Sequence, residues 1–537
     1  MERAAWIVFV LVAAAAAVWL RAHQLDEQVI IDDEWHAIHR LLSANLAAIA
    51  THLGFADYSV PLTLLFRLAY EHRALSERMM HVPSLIAGLA LLPVCFVLAR
   101  PWFAWRTRVV WMGLLAISPL LVYHSRVARP YPFTAVLVPV AILLFHRWWI
   151  QGRRADAAGY VLAAVVSGYL HPVVLPFVLM PLAYHGVAAL YAAAFAREAN
   201  RLGPLLRGVA IGGLVAVLLA LTLGPPLVTD WKLFTAKAGR DAVTLESVYR
   251  SALMLAGSQY AWTALVVFGL AAVGTWHAFV RQAGVVTYLL VVLGVASVTI
   301  ASAGIAYIYH PLVYARYLLP ALVFVLLFAA EGVTSLLRRV PAGVVAPVGA
   351  GALCASLYLA GPLPAIDYVP NQFTGHLRFQ YDYDPAHNPY VTQVPREPVP
   401  AFYRMLAEKP AGSLTLIEMP WRLESNFNPH PWYQEVHRQN VLIGFVTPVC
   451  GVREFGEYPE DEGMRMRRFI HLSALLRGET RGAQYLVVHL NPWKTPPDAD
   501  VEWPDMQACL PTIEAALGKP MLSSDGLVVF ALRADGR

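Results

Sequence analysis

The stretch RVVWMGLLAISPLLVYHSRVARPYPFTAVLVPVAILLFHRWW, residues 108–149, holds two apolar runs around one short polar turn. A bilayer core takes roughly 20 apolar residues per helix. Residues 108–123 and 131–149 therefore read as two spans, and 124–130 as their connection. That connection carries Arg126 and Arg129 in a chain where charge is scarce.

Runs of the same kind recur near 5–21, 79–99, 158–171, 173–195, 208–228, 261–280, 284–305, 317–337 and 341–362, about eleven spans in all. The first, Ala-rich with an early Arg, resembles a signal peptide and is read as a retained anchor because many spans follow. Composition agrees. Of 537 residues, 58% are apolar and 14% charged, where soluble domains carry about 25% charged residues. With a mean hydropathy of +0.52, this excludes a soluble enzyme, a disordered chain and a nucleic-acid binder. The four cysteines form no CxxC spacing, which argues against a zinc, haem or iron–sulfur site built on them.

Charge divides the chain. Residues 1–362 hold 25 Lys+Arg and 15 Asp+Glu, a net of +10; residues 363–537 hold 16 and 21, a net of −5. The expected organisation is a polytopic α-helical membrane domain over 1–362 and a soluble α/β domain over 363–537. Arg100, Arg106 and Arg108, then Arg147, Arg153 and Arg154, then Arg197, Arg201 and Arg207, then Arg281, then Arg338 and Arg339 fall on alternate connections. The positive-inside rule places these in the cytoplasm. Residues 22–78, 124–130, 229–260 and 306–316, and the C-terminal domain, then face outward from a cytoplasmic membrane. Cys450 and Cys509 would share an oxidising space, where pairing and free thiols are both open.

Within 22–78, Ile38, Leu41, Leu42, Leu46, Ile49 and Leu53 repeat at helical spacing. They suggest a helix lying in the membrane interface or packed on the bundle, and a second such stretch runs from about Val60 to Tyr70. In the tail, the runs at 414–419, 441–446, 485–490 and 527–532 read as strands. Helical stretches near 400–408, 430–439, 464–477 and 505–517 separate them, which suggests βα units and a largely parallel sheet. Neither GxGxxG nor GxxxxGK[ST] occurs in it.

Chemistry concentrates at the outer helix ends. Asp32, Asp33 and Glu34 follow the first span; adjacent carboxylates repel, which raises at least one pKa and makes a better base. The same three residues also suit a helix start, where acids are favoured. Arg126 and Arg129 sit at the face that normally lacks Arg, so an anion such as a phosphate is a natural partner, with snorkelling to headgroups as the alternative. Arg316 with Tyr317, and His171 in LHP, stand at other outer helix ends. Such a face suits splitting a lipid phosphate–sugar bond: a carboxylate takes a proton from a hydroxyl, and cations stabilise the departing phosphate.

At these residues the sequence resembles the GT-C fold polyprenyl-phosphate-sugar glycosyltransferases, which include the protein O-mannosyltransferase-like and lipid A aminoarabinose transferase-like families. The marks run in family order over about residues 5–340: Asp33-Glu34, YSVPLTLLFRL (58–68), ERMMHVPSLIAGLALLPVCF (77–96), SRVARPY (125–131), LHP (170–172) and ARYLLP (315–320). Val127 departs from relatives that carry Glu in the short turn. The resemblance implies inverting transfer from a polyprenyl monophosphate sugar to a glycan, lipid or protein hydroxyl. Asp33 would be the base, and Glu34, beside Asp32, an assisting or positioning carboxylate. Arg126, Arg129, Tyr131, His171, Arg316 and Tyr317 would contact the donor phosphate. Membrane lipids are the expected surroundings, nucleic acid is not a partner, and use of a divalent cation stays open. A transporter or flippase of an anionic or lipid-linked substrate is the rival reading; it expects charge at the bilayer midplane on repeat-related helices.

Overall fold

The computed structural model describes residues 2–23, 25, 30, 32–54, 59–195, 202–338, 344–365, 398–421, 430–451, 469–490 and 504–532. The chain forms two compact units. The first comprises Met1–His23, Ser43–Leu65 and His81–Pro364, and the second Gln24–Leu42, Phe66–Met80 and Ala365–Arg537. The division at Pro364 lies close to the composition change at 362. The sequence reading kept all of 22–78 with the membrane domain, whereas parts of that segment cluster with the C-terminal unit.

In chain order the helices begin α1 (Glu2–Ala22), α2 (Trp35–Ser43), α3 (Leu46–Thr51), α4 (Val60–Glu71) and α5 (Glu77–Leu98). Next come α6 (Trp105–Ile117), α7 (Pro119–His124), α8 (Tyr131–Gln151), α9 (Arg154–Leu170), α10 (Leu175–Phe195) and α11 (Leu202–Thr229). The series continues with α12 (Trp231–Thr235), α13 (Leu245–Ala256), α14 (Ala261–Ser302), α15 (Pro311–Tyr317), α16 (Leu319–Leu337) and α17 (Val345–Ala360). Seven of these helices are long and apolar enough to cross a membrane, α14 at 42 residues among them. Gln282 interrupts α14 with non-helical backbone between the expected runs at 261–280 and 284–305, so α14 is two helical segments joined at a kink. The remaining expected runs lie on α6 with α7, on α9 and on α17, which are shorter or broken. The apolar stripe from Ile38 to Leu53 is likewise divided, into α2 and α3. Asn45 caps α3 by accepting from the Ala48 N–H at 2.9 Å, a local bond that competes with helix continuation.

Proline dictates where α6 stops. Pro119 has no N–H to give the Leu115 carbonyl, and Ser118 takes extended backbone. Inside a membrane the freed carbonyls still need donors. Arg21, at the end of α1 and fully buried, supplies them: Nη2 to Leu115 O at 3.0 Å and Nη1 to Ala116 O at 2.8 Å. Arg126 returns the service, its Nη1 donating to Leu20 O at 3.2 Å and His23 O at 2.8 Å, where the terminal carbonyls of α1 lack helical donors. Toward the start of α6, buried Glu331 of α16 accepts from the Thr107 hydroxyl at 2.6 Å and meets the His277 imidazole at 2.7 Å.

The second unit carries α18 (Ala401–Ala407), α19 (His430–His437), α20 (Leu472–Leu476) and α21 (Met506–Leu517) around one sheet. Its strands are β1 (Thr415–Met419), β2 (Asn440–Phe445), β3 (Phe469–His471), β4 (Tyr485–His489), β5 (Leu522–Ser524) and β6 (Leu527–Ala531), in the order β3-β2-β1-β4-β6-β5. β1 pairs parallel with β2 and β4, and β2 with β3; β6 is antiparallel to β4 and to β5. All four expected strands are present. β3 and β5, three residues each, were too short for a periodic signal. Of the expected helical stretch 464–477, residues 464–468 lie outside the described residues. One sheet face packs Ile417, Met419, Leu486 and Val488 against α20 and α21, and the other packs Leu416, Val487 and Val529 against Phe402, Tyr403 and Tyr433. Cys450 and Cys509 are disulfide-bonded, with Cα atoms 5.7 Å apart.

α14 and α16 cross with their backbones in contact. A Cβ added at Gly332 would overlap the Leu270 carbonyl, and one at Gly274 the Phe328 carbonyl, the small-residue packing that membrane helices use in place of a hydrophobic drive. Gly332→Leu should cost about 1–3 kcal/mol or more through overpacking and lower the thermal unfolding midpoint in detergent. Gly284→Leu, with open space at its Cβ, should leave the midpoint nearly unchanged.

Candidate functional site

The short turn after α7 is almost wholly buried: Ser125 is 0% exposed, Arg126 1% and Arg129 8%. It closes through the Ser125 hydroxyl donating to Val122 O at 2.6 Å and the Arg129 N–H donating to Val127 O at 2.8 Å. The turn lies against α5 at Gly88, where any Cβ would overlap that of Ser125. That glycine lets two backbones approach and seats the turn, and with it the start of α8 at Tyr131.

His171 is placed by Pro172. A residue before proline is driven out of helical backbone, and His171 has φ −156° and ψ 101°, which ends α9 and leaves its imidazole at the helix end. Arg316 is placed by a third proline: Pro311 starts α15 just after His310, and α15 breaks at Leu318 before α16 begins.

These breaks bring four of the singled-out side chains together. The Arg316 guanidinium carbon lies 5.2 Å from the Tyr131 ring centroid and 5.3 Å from that of Tyr317, within cation–π range. The His171 ring is 5.3 Å from Tyr131 and 5.7 Å from Tyr317. His124, which the sequence did not mark, joins at 4.9 Å from Tyr131. Its only signal is its place at the first residue of the turn. Burial holds the His310 imidazole below its usual range; Asp241 opposes this and Arg316 adds to it. The result is a basic centre walled by aromatic rings, which suits an anion bearing an apolar tail. Arg126 is engaged with the α1 carbonyls described above, so the partner that its buried charge requires includes the backbone.

The acidic residues belong to the second unit. Asp32–Glu34 form one turn of 3-10 helix leading into α2. Glu34 is 1% exposed; Asp33 is partly exposed, with Oδ1 3.8 Å from His36 Nε2. The side chain of Asp32 lies outside the described residues. The turn is anchored by its neighbour Trp35, whose ring packs edge-on at 5.1 Å from Phe469 of β3 and 6.4 Å from Phe445 of β2. Arg67 of α4 donates to the Leu41 carbonyl near the end of α2 at 2.7 Å and pairs with Glu71 at 2.8 Å. Trp35 went unmarked in the sequence because a lone aromatic beside a carboxylate has no periodic signature. Among the described residues, those that could hold a metal ion are Glu418, His430 and His489, in the sheet domain and not among the acids after α1.

No protein-family model and no curated protein matches the sequence. Solved structures do resemble it. ArnT from Cupriavidus metallidurans in the apo state shares 13% identity over 99% of both chains, with a TM-score of 0.48. The same protein bound to undecaprenyl phosphate gives 13% over 98% of both chains and 0.45. An Archaeoglobus fulgidus oligosaccharyltransferase in complex with Zn and sulfate gives 14% over 90% of this chain and 68% of that one, and 0.40. These are glycosyltransferases of the GT-C fold that the sequence resembles. At such distances the likeness carries no argument about activity.

Trp35→Ala should remove the packing that holds the acidic turn on β2 and β3, at a cost of about 3–5 kcal/mol for a buried Trp truncation. Limited proteolysis of the detergent-purified protein should then show faster cleavage near residues 30–42, while the disulfide-bonded core of the sheet domain stays protected.

Proposed function

We propose that this chain is a membrane glycosyltransferase. It moves a sugar from a polyprenyl-phosphate-linked donor to a hydroxyl of a glycan, lipid or protein, with inversion, on the outer face of the cytoplasmic membrane. The observation that carries the reading is the basic centre of Arg316, Tyr131, Tyr317 and His171, built from separate helix ends of an apolar bundle. A guanidinium held between rings is preorganised for phosphate oxygens, and buried surroundings strengthen that attraction.

In this reading Asp33 takes the proton from the acceptor hydroxyl as its oxygen attacks the anomeric carbon. Glu34 positions the acceptor or the base. The bond from anomeric carbon to phosphate oxygen breaks, and the phosphate leaves on its lipid with its growing charge met by Arg316 and Arg129. His171 and the two tyrosines keep the guanidinium oriented. Arg126 serves as a positioning residue for the turn. The disulfide between Cys450 and Cys509 supports an oxidising outer location for the second unit, and in this reading the C-terminal domain selects the acceptor.

Asp33→Asn should lower transfer by about 100-fold or more, the size expected for loss of a general base, while donor binding is retained. Arg316→Ala should raise the KM for the lipid donor far more than that for the acceptor. Mass spectrometry of surface glycans and lipids, with and without the protein, reads both variants and identifies the missing sugar; unchanged products with Asp33→Asn would remove the base from this scheme. For orientation, Arg240→Cys should react with an impermeant maleimide in intact cells and Arg153→Cys only after permeabilisation. The opposite pattern would invert the proposed topology.

A further inference from the structure

The sheet domain contains a buried polar group that the transfer reaction leaves unused. Glu418 is the penultimate residue of β1, His489 the last of β4 and His430 the first of α19. Glu418 and His430 are 0% exposed and His489 2%. We propose that Glu418, His430 and His489 form a structural binding site for one divalent transition-metal ion of the zinc type.

The sheet order explains why these residues meet. The chain runs outward from β1 to β2 and β3, then returns to β4 on the other flank of β1. The crevice at the carboxyl ends of the two strands where the order reverses is where open α/β sheets bind ligands. Glu418 pairs in register with Val487. His489, two residues further, therefore projects from the same face as Glu418. His430 comes to that face from the helix that follows β1.

The spacing leaves room for one ion among the three side chains. Glu418 Oε2 lies 3.4 Å from His489 Nε2 and 3.6 Å from His430 Nε2. Charge-assisted hydrogen bonds run to about 2.7–2.9 Å. Two ligands at about 2.0–2.1 Å from one tetrahedral zinc stand roughly 3.3–3.5 Å apart. One ligand atom from each of the three residues lies within 4.8 Å of the others. Imidazole and carboxylate donors are those zinc takes when thiolates are absent.

A carboxylate without access to water also demands a compensating positive charge. His437 plays a different part. Its Nδ1 accepts the Gln439 N–H at 3.0 Å, and its Nε2 stands 3.6 Å from Glu418 Oε1, beside the second carboxylate oxygen. The Tyr403 hydroxyl is hydrogen-bonded to His489 Nε2 at 2.9 Å, a bond that a metal at that nitrogen would displace. Burial of all three side chains makes the site a tie between β1, α19 and β4, with the fourth position of a tetrahedral ion left to a non-protein ligand such as water.

The test uses the full-length protein, purified in detergent with a tag free of histidine and without chelators, and reads metal by mass spectrometry. Wild type should hold about one zinc per chain. Glu418→Gln and His489→Gln should each lower that content at least ~10-fold, while an Asp33→Asn, Glu34→Gln double variant keeps it. Zinc retained in full by both ligand variants would overturn the site. If those variants fail to fold, the wild type decides: after stripping, Co2+ should give the intense visible bands of a four-coordinate complex. Pulsed EPR of the Cu2+ form should count two coordinated imidazoles. No metal taken up, or fewer than two imidazoles, overturns the proposal.

Discussion

The bundle depends on an exchange of arginines between broken helix ends. Pro119 deprives the Leu115 carbonyl of its donor, and α1 ends with carbonyls of its own unserved. Arg21 reaches from α1 to Leu115 and Ala116, and Arg126 reaches back to Leu20 and His23. In a medium without water, each unserved carbonyl would cost several kcal/mol. The polar turn therefore persists in an apolar protein because its charges complete the backbone of a neighbouring helix. The turn's position in turn starts α8 at Tyr131 and so locates the first ring of the basic centre.

The same device recurs around that centre. Pro172 ends α9 at His171 and Pro311 begins the short helix that carries Arg316. Each break spends helical hydrogen bonds to aim one polar side chain, and the aromatic rings of Tyr131 and Tyr317 then fix the guanidinium between them. The acidic turn is built on a different principle. It owes its place to a tryptophan packed on the edge of a soluble-type sheet. The C-terminal unit is thus the structural support of Asp33 and Glu34, although it follows them by several hundred residues in the chain.

That sheet is itself held on both faces by polar or covalent ties. On one face Cys450 and Cys509 join the apolar layer around α21. On the other, Glu418 and its histidines sit among Tyr403 and Tyr433. A domain of this size has a modest core, and both ties bind segments distant in sequence.

The amino-acid sequence by itself determined the apolar helical runs, the composition change near 362, four of the six strands and which polar residues stand at the helix ends. Each of those follows from local composition or period, because a run of apolar residues must be buried whatever surrounds it. The break of α14 at Gln282 falls between the runs read at 261–280 and 284–305, whereas the split of α2 from α3 left the period intact and so was invisible. Tertiary structure alone decided that Arg126 serves the carbonyls of α1, that Arg316 lies between Tyr131 and Tyr317, and that Trp35 ties the acids to β2 and β3. It also decided that Glu418 and His489, far apart in the chain, share one face of adjacent strands. These are relations between segments distant in sequence, set by which helix ends and strands pack together, and side-chain periodicity records only which face of a segment is buried, never against what.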